Sequence, residues 1–336
     1  GPYAIPQTFS MLLAHLRLSA SHHKALRSRG LTDTQIEAMQ FRSTPAFGVE
    51  QIVGKLLQAG CTLKGVPGFY QKNNGDWTMS LSSKSRGIVI PVMGMDGLIQ
   101  GFQIRMDIPF DDKRYIWFSS TDKQSGTSSK SPVHFIGDVT AKTLILTEGP
   151  LKGNVIHALT GLPVLAIAGV NQIKELPSAL SALQSFGLKK VMVALDIDRV
   201  CNKYVRRAME EIRGILVSLK LIPQALSWDF RCKGYDDYLW AEQTGTLRKS
   251  VPFFTQNHIS CRLFRGDSKR IEEQVHISSH TKLVETIPMK EYRQIFEGEV
   301  KAKCLEDLFI QFFYHSEFKV KIYDILAVEE NGKIKY

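Results

Sequence analysis

Three features are missing from this 336-residue sequence, and each absence excludes a class of protein. The five cysteines stand singly, without a Cys-x-x-Cys pair or a Cys/His ligand spacing, so there is no zinc ribbon. The longest apolar run is far too short to cross a membrane, and no signal-peptide pattern opens the chain. The Ser/Thr-rich stretch 121–132 lacks the Gly-Lys-Ser/Thr ending of a P-loop. Scattered single cysteines predict reduced thiols and a cytoplasmic location.

Positive charge is what the chain has in excess. Lys and Arg number 43 against 33 Asp and Glu, which gives a net charge of +10. Fixed positive charge favours a polyanionic partner, because phosphates release counterions when they bind it. The hydrophobic fraction of 43% is ordinary for a folded protein, and the length predicts two or three domains. We therefore expect a folded nucleic-acid-binding protein without a membrane partner.

Two short apolar runs end in carboxylates. Residues 142–148 read Lys-Thr-Leu-Ile-Leu-Thr-Glu, and residues 189–196 read Lys-Lys-Val-Met-Val-Ala-Leu-Asp. Runs of this length are typical of strands buried on both faces of a parallel sheet. Helical patterns at 151–159, 173–186 and 204–219 alternate with them, which predicts βαβ units.

The acids at these strand ends, Glu148, Asp196 and Asp198, are candidate metal ligands and catalytic residues. The carboxyl ends of parallel strands meet at one edge of a sheet, where α/β proteins bind ligands. Carboxylates, together with substrate phosphates, are the ligands of hard cations such as Mg²⁺. The alternative is that the acids only cap helices and solvate strand ends. Three acids at the correct strand ends favour the metal site.

A basic, strand-rich segment precedes these runs. Residues 86–97 predict a strand and an Asp-Gly turn, residues 98–105 the returning strand, and residues 113–118 a third strand. Its candidate contacts to nucleotides or to a nucleic-acid strand are Arg105, Lys113, Arg114 and Tyr115. Guanidinium and ammonium groups suit phosphate, although the same residues are also ordinary on an exposed strand.

These features together resemble the Toprim domain of topoisomerases, primases and related nucleases. Glu148-Gly149 after one strand and Asp196-x-Asp198 after another carry the resemblance. Gly101-Phe-Gln-Ile-Arg105 and Arg114-Tyr115 resemble the basic subdomain that precedes Toprim in bacterial replicative primases, and residues 233–239 resemble the element after the sheet. The likeness covers about residues 48–245 and is strongest to primase-related proteins of phages and integrative elements.

The resemblance implies a Mg²⁺- or Mn²⁺-dependent enzyme that acts on single-stranded DNA and nucleotides in a bacterial cytoplasm. It implies metal-binding and catalytic roles for Glu148, Asp196 and Asp198. Lys152 and Lys233 join the candidate phosphate contacts, and Asp236 and Asp237 are secondary acidic candidates. A helicase or another replication protein of the phage or element would be a partner.

Two departures leave the reaction open. Lys152 stands four residues after Glu148, where Toprim proteins often have an acid, and neither the zinc-binding module nor the helicase-binding bundle of replicative primases is recognisable. Primase-like nucleotidyl transfer is the first prediction. A Toprim nuclease that uses the same metals, or a catalytically idle DNA-binding or assembly protein of a mobile element, are the alternatives.

The domain organisation that we expect has four parts. They are an N-terminal helical segment (1–46), a primase-like basic α+β subdomain (47–138), a Toprim domain (139–250) with a Rossmann-like parallel sheet and flanking helices, and a C-terminal α+β accessory module (251–336). The N-terminal cations His15, His22, His23, Arg27, Arg29 and Arg42 either touch phosphate or lie on a solvated helix face. The accessory module has strand-like segments at 259–264, 282–287, 292–300 and 323–328 and a helix at 304–313. The chain stops soon after a predicted Asn331-Gly332 turn, so we expect it to belong to a longer polypeptide.

Overall fold

The computed structural model describes most of the first 246 residues and four later strands. The described ranges are 3–81, 85–110, 113–169, 173–196, 203–226, 228, 232–246, 258–265, 269–278, 319–330 and 333–335. The chain divides into two compact units, one of residues 1–196, 210–228 and 234–240, the other of residues 197–209, 229–233 and 241–336. None of the helices in the described part of the chain is both long and apolar enough to span a membrane.

The predicted N-terminal helical segment forms three helices. They are α1 (Ala4–His15), α2 (Ala20–Arg27) and α3 (Asp33–Ala38). Each of the last two begins at a capping residue: the Ser19 hydroxyl accepts the His22 N–H, and Thr32 forms a capping box with Gln35. The prediction of a helical segment was wrong at its end, where β1 (Arg42–Ser43) is a strand that pairs antiparallel with residues 88–89.

The basic segment folds as helix α4 (Val49–Gln58), a small hairpin of β2 (Phe69–Gln71) and β3 (Trp77–Met79), and an antiparallel sheet. That sheet adds β4 (Gly87–Met93), β5 (Ile99–Phe110) and β6 (Lys113–Trp117) to β1, in the order β1-β4-β5-β6. The three predicted strands are confirmed, although β5 continues well beyond Arg105. The β4 and β5 backbones approach so closely that a Cβ on Gly87 would lie 2.0 Å from the Arg105 carbonyl oxygen.

A second sheet has the predicted alternation of strands and helices. Its elements are β7 (His134–Ile136), β8 (Thr143–Glu148), α5 (Pro150–Thr160), β9 (Val164–Ile167), α6 (Leu176–Ser185), β10 (Lys190–Ala194), α7 (Lys203–Ser218) and β11 (Ile222–Ala225), followed by α8 (Tyr235–Gln243). The strand order is β11-β10-β8-β9-β7, and all neighbours are parallel except β7 and β9. The predicted α/β class is confirmed.

Two hydrophobic cores lie on opposite faces of β4. The first contains Phe9, Phe69, Phe102 and Phe118 and packs α1 and α4 against the antiparallel sheet. The second, which we call the shared core, joins α2, α3, β4 and α5. Its buried members are Leu26, Leu31, Ile36, Phe41, Ile88, Ile90, Leu151 and Val155. Burying apolar surface stabilises such layers by about 25 cal/mol of free energy per Å².

The described part of the C-terminal segment is a third sheet. Its strands are β12 (His258–Arg265), β13 (Lys269–Ser278), β14 (Lys319–Glu330) and β15 (Lys333–Lys335). The strand-like segments at 259–264 and 323–328 are confirmed, and β13 was not predicted. The predictions at 282–287, 292–300, 304–313 and 331–332 lie outside the described residues. The four predicted domains and their boundaries stay predictions.

Candidate active site

The candidate site lies where the order of the parallel strands reverses. The chain passes from β8 through α5 to β9 on one side, and from β10 through α7 to β11 on the other. Connections that leave neighbouring strands in opposite directions open a crevice outside the carboxyl ends of those strands. Glu148 is the last residue of β8, and Asp196 follows the end of β10. Both predicted acids therefore stand at this crevice. Asp198 lies outside the described residues.

An ammonium group links the two acids. The Lys152 Nζ donates a hydrogen bond to Oδ1 of Asp196 and lies 3.6 Å from Oε1 of Glu148. All three side chains are largely buried, with Asp196 only 7% exposed. Burial by itself lowers the pKa of Lys152, but the charges of Asp196 and Glu148 outweigh it, and the pKa is raised. The lysine is therefore charged at neutral pH.

Local sequence places this lysine. Gly149 adopts φ +85° between β8 and α5, and Pro150 opens the helix at a position where a missing N–H costs nothing. Lys152 then falls in the first turn of α5, which contains no acid. A cation is disfavoured there because the helix N-terminus is itself partly positive. The carboxylates of Glu148 and Asp196 compensate for that cost.

Asp236, a secondary candidate, lies beside these residues, and we call Glu148, Asp196 and Asp236 the acidic cluster. Its Oδ2 accepts a hydrogen bond from Arg29 at 3.2 Å, whereas its Oδ1 is buried without a hydrogen-bond partner in the described structure. A Cβ on Gly234 would lie 2.3 Å from that Oδ1 and 3.5 Å from Oδ1 of Asp196. Both carboxylates thus approach Gly234, and a side chain at residue 234 would collide with Asp236. Asp237, the other secondary candidate, is exposed in the first turn of α8.

Burial and neighbouring charge perturb the Asp236 carboxyl. Burial is the largest cause and raises its pKa from 3.8 to about 6, and the Asp237 and Asp196 charges act in the same direction. The cations Lys152 and Arg29 oppose this rise in pKa. Strongly shifted pKa values in a crevice are a frequent property of functional sites.

We expect this shift to appear as a pH dependence of stability in metal-free protein. Between the unfolded pKa of 3.8 and the folded pKa of about 6, the folded state holds more protons, so the unfolding free energy falls as pH rises. Asn does not titrate. The stability of Asp236→Asn relative to the original protein should therefore rise by up to about 3 kcal/mol from pH 4 to 7.

Urea unfolding in EDTA at intervals across that range measures the difference. Buried His134, whose pKa burial lowers to about 4, titrates with the opposite sign, but it is common to both proteins and cancels. A stability difference that stays constant with pH would contradict the environment assigned to Asp236.

Sequence reasoning missed the role of Arg29, which it counted only among the N-terminal cations. Arg29 follows the end of α2 and reaches Asp236 on α8. Gly30, at φ +97°, allows this approach, because a Cβ there would lie 2.6 Å from the Trp240 ring. The sequence signal for this contact was Gly30 after a helix. Such a glycine indicates where the helix ends, but it does not indicate which element the helix end contacts.

Most of the other N-terminal cations are engaged with carboxylates of the chain itself. The contacts are His22 with Asp107 at 2.7 Å, His23 and Arg27 with Asp33, and Arg42 with Glu37 at 2.9 Å. These pairs tie the helices to one another and to the antiparallel sheet. They leave the N-terminal segment with less free positive charge than its composition indicates.

The structure places the predicted basic residues on β5 and β6. Arg105 and Tyr115 face each other in register, and Tyr115 packs against the shared core. Arg105 is half-buried, and its Nε has no hydrogen-bond partner in the described structure. Lys113 and Arg114, the two residues before Tyr115 on β6, are exposed, as is Lys233 before α8. We define Arg105, Lys113, Arg114 and Tyr115 as the basic strip.

The acidic cluster offers carboxylate oxygens, which suit a hard cation, but it offers few of them. Carboxylate oxygens suit Mg²⁺ and Mn²⁺. Within the described residues, no group of three or more His, Cys, Asp or Glu side chains is arranged to hold a metal ion. The unpartnered Asp236 Oδ1 is the feature that an additional cation would satisfy. The donor set therefore fits a divalent ion in chemistry, with Lys152 already beside two of the acids.

Comparison with known proteins identifies the fold. No protein-family model and no curated protein matches the chain. Among solved structures, the zinc-binding and RNA polymerase domains of the Aquifex aeolicus primase match at a TM-score of 0.51 and 18% identity, over 73% of this chain and 60% of that one. The RNA polymerase domain of the Mycobacterium tuberculosis primase matches at 0.50 and 14% identity, over 74% and 91%. The chain thus has a primase-like α/β fold, as predicted, and spans 60% of the Aquifex structure.

Proposed function

We propose that the chain is a primase-like nucleotidyltransferase that joins nucleotides on single-stranded DNA. The observation that carries the proposal is the convergence of Glu148 and Asp196 at the strand-order reversal of a primase-like fold. The predicted Toprim assignment of this sheet belongs to the same proposal. A bacterial cytoplasm, a phage or integrative element as the source, and a helicase or replication protein as partner complete it.

Glu148, Asp196 and Asp198 would hold Mg²⁺ or Mn²⁺ in this proposal. When bound, the ion supplies Lewis-acid charge for phosphoryl transfer. Side chains of the protein orient the acids and bind the phosphates. Lys152 pairs with Glu148 and Asp196 and orients both carboxylates. Arg105, Lys113, Arg114 and Lys233 bind phosphate oxygens of template and nucleotide, and the Tyr115 ring supports the strip from the core side.

A second candidate is a catalytically idle nucleic-acid-binding protein. It is favoured by the same ammonium group, because Lys152 already neutralises two acids that a metal ion would need. A Toprim nuclease would use the same residues as the transferase. Because both reactions would use the same residues, the transferase and the nuclease are distinguished by their products.

Incubation with single-stranded DNA, ribonucleotides and Mg²⁺ or Mn²⁺ tests the proposal. Labelled nucleotide incorporation supports nucleotidyl transfer, and shortening of the DNA supports the nuclease. DNA binding without either product supports the idle protein. Each assay is repeated with Asp196→Asn, because contaminating enzymes would survive that change.

We expect Arg114→Glu to weaken single-stranded DNA binding about tenfold at low salt, because it reverses an exposed charge of the basic strip. The plot of log affinity against log salt concentration should become shallower by about 0.7 for each phosphate that the variant no longer neutralises. Fluorescence anisotropy with two unrelated oligonucleotides measures both quantities. The decrease in affinity should be similar for the two sequences.

Lys55→Glu is the matched control, since it changes the net charge equally at an exposed position of α4. Equal weakening in both variants would assign the effect to net charge and remove the basic strip from the proposal.

A further inference from the structure

We infer that the Lys152 ammonium occupies the place of one divalent cation, so that the acidic cluster binds a single metal ion. The inference deepens the proposed function and rests on its premise that these acids bind metal. Two-metal sites clamp both oxygens of a displacement between ions about 4 Å apart. Here one of the two positive centres would be covalently part of the chain.

The position of the ammonium group is the first argument. Its Nζ contacts Oδ1 of Asp196 and lies 3.6 Å from Oε1 of Glu148. A Mg²⁺ ion that bridged the same two carboxylates would sit about 2.1 Å from each oxygen. Such an ion and the Lys152 nitrogen would occupy the same small region. Only one positive centre can bridge this pair of oxygens, and the Lys152 ammonium already does so.

The rigidity of the lysine's support is the second argument. Its neighbours Leu151 and Val155 are buried in the shared core, which fixes the first turns of α5. Pro150 and the left-handed Gly149 fix the entry into the helix. Burial and the helix N-terminus both disfavour a cation at this position, yet the acids retain it there. The ammonium is therefore held in place before any ligand arrives.

The remaining acceptor identifies which oxygen of the cluster a metal ion would satisfy. Oδ1 of Asp236 is buried without a partner in the described structure, and the side chain is 1% exposed. It and Oδ1 of Asp196 both lie within 3.5 Å of the position that a Cβ on Gly234 would take. A cation beside Gly234 would satisfy the unpartnered oxygen. The two positive centres would then share Asp196, with Lys152 on one side and the metal ion on the other.

Counting bound Mn²⁺ tests the inference directly. The free ion is measured by electron paramagnetic resonance during titration of the nucleotide-free protein. We expect one ion per chain in the original protein and in Lys152→Arg, which keeps the charge. We expect two ions, or one bound about tenfold more tightly, in Lys152→Gln and Lys152→Met. Asp236→Asn should lower the affinity for the single ion about tenfold. Lys189→Gln removes an exposed charge before β10 and should bind as the original does.

Two Mn²⁺ ions in the original protein would overturn the inference without any variant, as would its failure to bind Mn²⁺ at all. Unchanged binding in folded Lys152→Gln and Lys152→Met would also overturn it. Because no nucleotide is present, the count is independent of catalysis. If Lys152→Gln binds two ions where the original protein binds one, the inference stands. If the original protein then incorporates no nucleotide in the separate assay, the proposed function is wrong although the inference holds.

Discussion

Asp196→Asn is expected to reduce metal-dependent nucleotide incorporation at least about a thousandfold while the protein stays folded. Asp196 lies at the strand-order reversal and is the acid that contacts Lys152 and faces Asp236 across Gly234. The amide keeps the shape but removes the charge that pairs with Lys152 and that the proposed metal ion would need. A decrease of about 4 kcal/mol in transition-state stabilisation corresponds to that factor. Initial rates at saturating Mg²⁺ measure it, and Glu148→Gln should act in the same direction.

Glu175→Gln provides the control for this prediction. It is the same kind of neutralisation at an exposed position before α6. Its rate should stay within about twofold of the original, since exposed charges away from a site contribute little. Full activity in both Asp196→Asn and Glu148→Gln would show that the acidic cluster is not the active site.

Phe102→Ala is expected to cost about 3–5 kcal/mol of unfolding free energy, the largest stability decrease that we predict. Phe102 is 1% exposed, and its ring centroid lies 4.5 Å from that of Phe9 and 6.1 Å from that of Phe118. Its removal leaves a cavity under α1, where the helix and β5 meet. Such a decrease is a large part of the stability of an ordinary domain. Urea unfolding followed by tryptophan fluorescence measures it.

Phe47→Ala deletes the same atoms from a side chain that is 87% exposed. It should change the unfolding free energy by less than about 0.5 kcal/mol. Phe102→Leu should fall between the two, because it leaves a smaller cavity. Equal destabilisation in Phe102→Ala and Phe47→Ala would contradict the position of Phe102 in the core.

The fold was predictable where the pattern is local. Buried parallel strands leave continuous apolar runs, and two such runs with helical patterns between them indicated β8, β10 and their helices. The short strands β9 and β11 were missed. β9 is a fully buried apolar run of only four residues, which sequence cannot distinguish from part of a helix. β11 is exposed throughout and contains Pro223, so it lacks the pattern of a strand.

The site was predictable only at its strand ends. Glu148 and Asp196 meet because each follows a parallel strand, which is a rule of topology. The pairing of Arg29 with Asp236 depends on how α2 packs near α8, and no local pattern encodes such a contact. Lys152 was predicted to bind phosphate from its charge alone. Its contact with two acids required the geometry of the α5 entry, and its role toward phosphate stays a prediction.

The shared core limits where recombination between related genes can occur without loss of the fold. Leu151 and Val155 of α5 are covered by Leu26, Ile36 and their neighbours, which come from the start of the chain. A recombination breakpoint between the N-terminal helices and α5 would pair surfaces that did not evolve together, and close-packed interiors tolerate that poorly. Exchange between related genes should therefore move residues 1–160 as one block. Compatible insertions belong in exposed turns outside it, such as the one between α6 and β10.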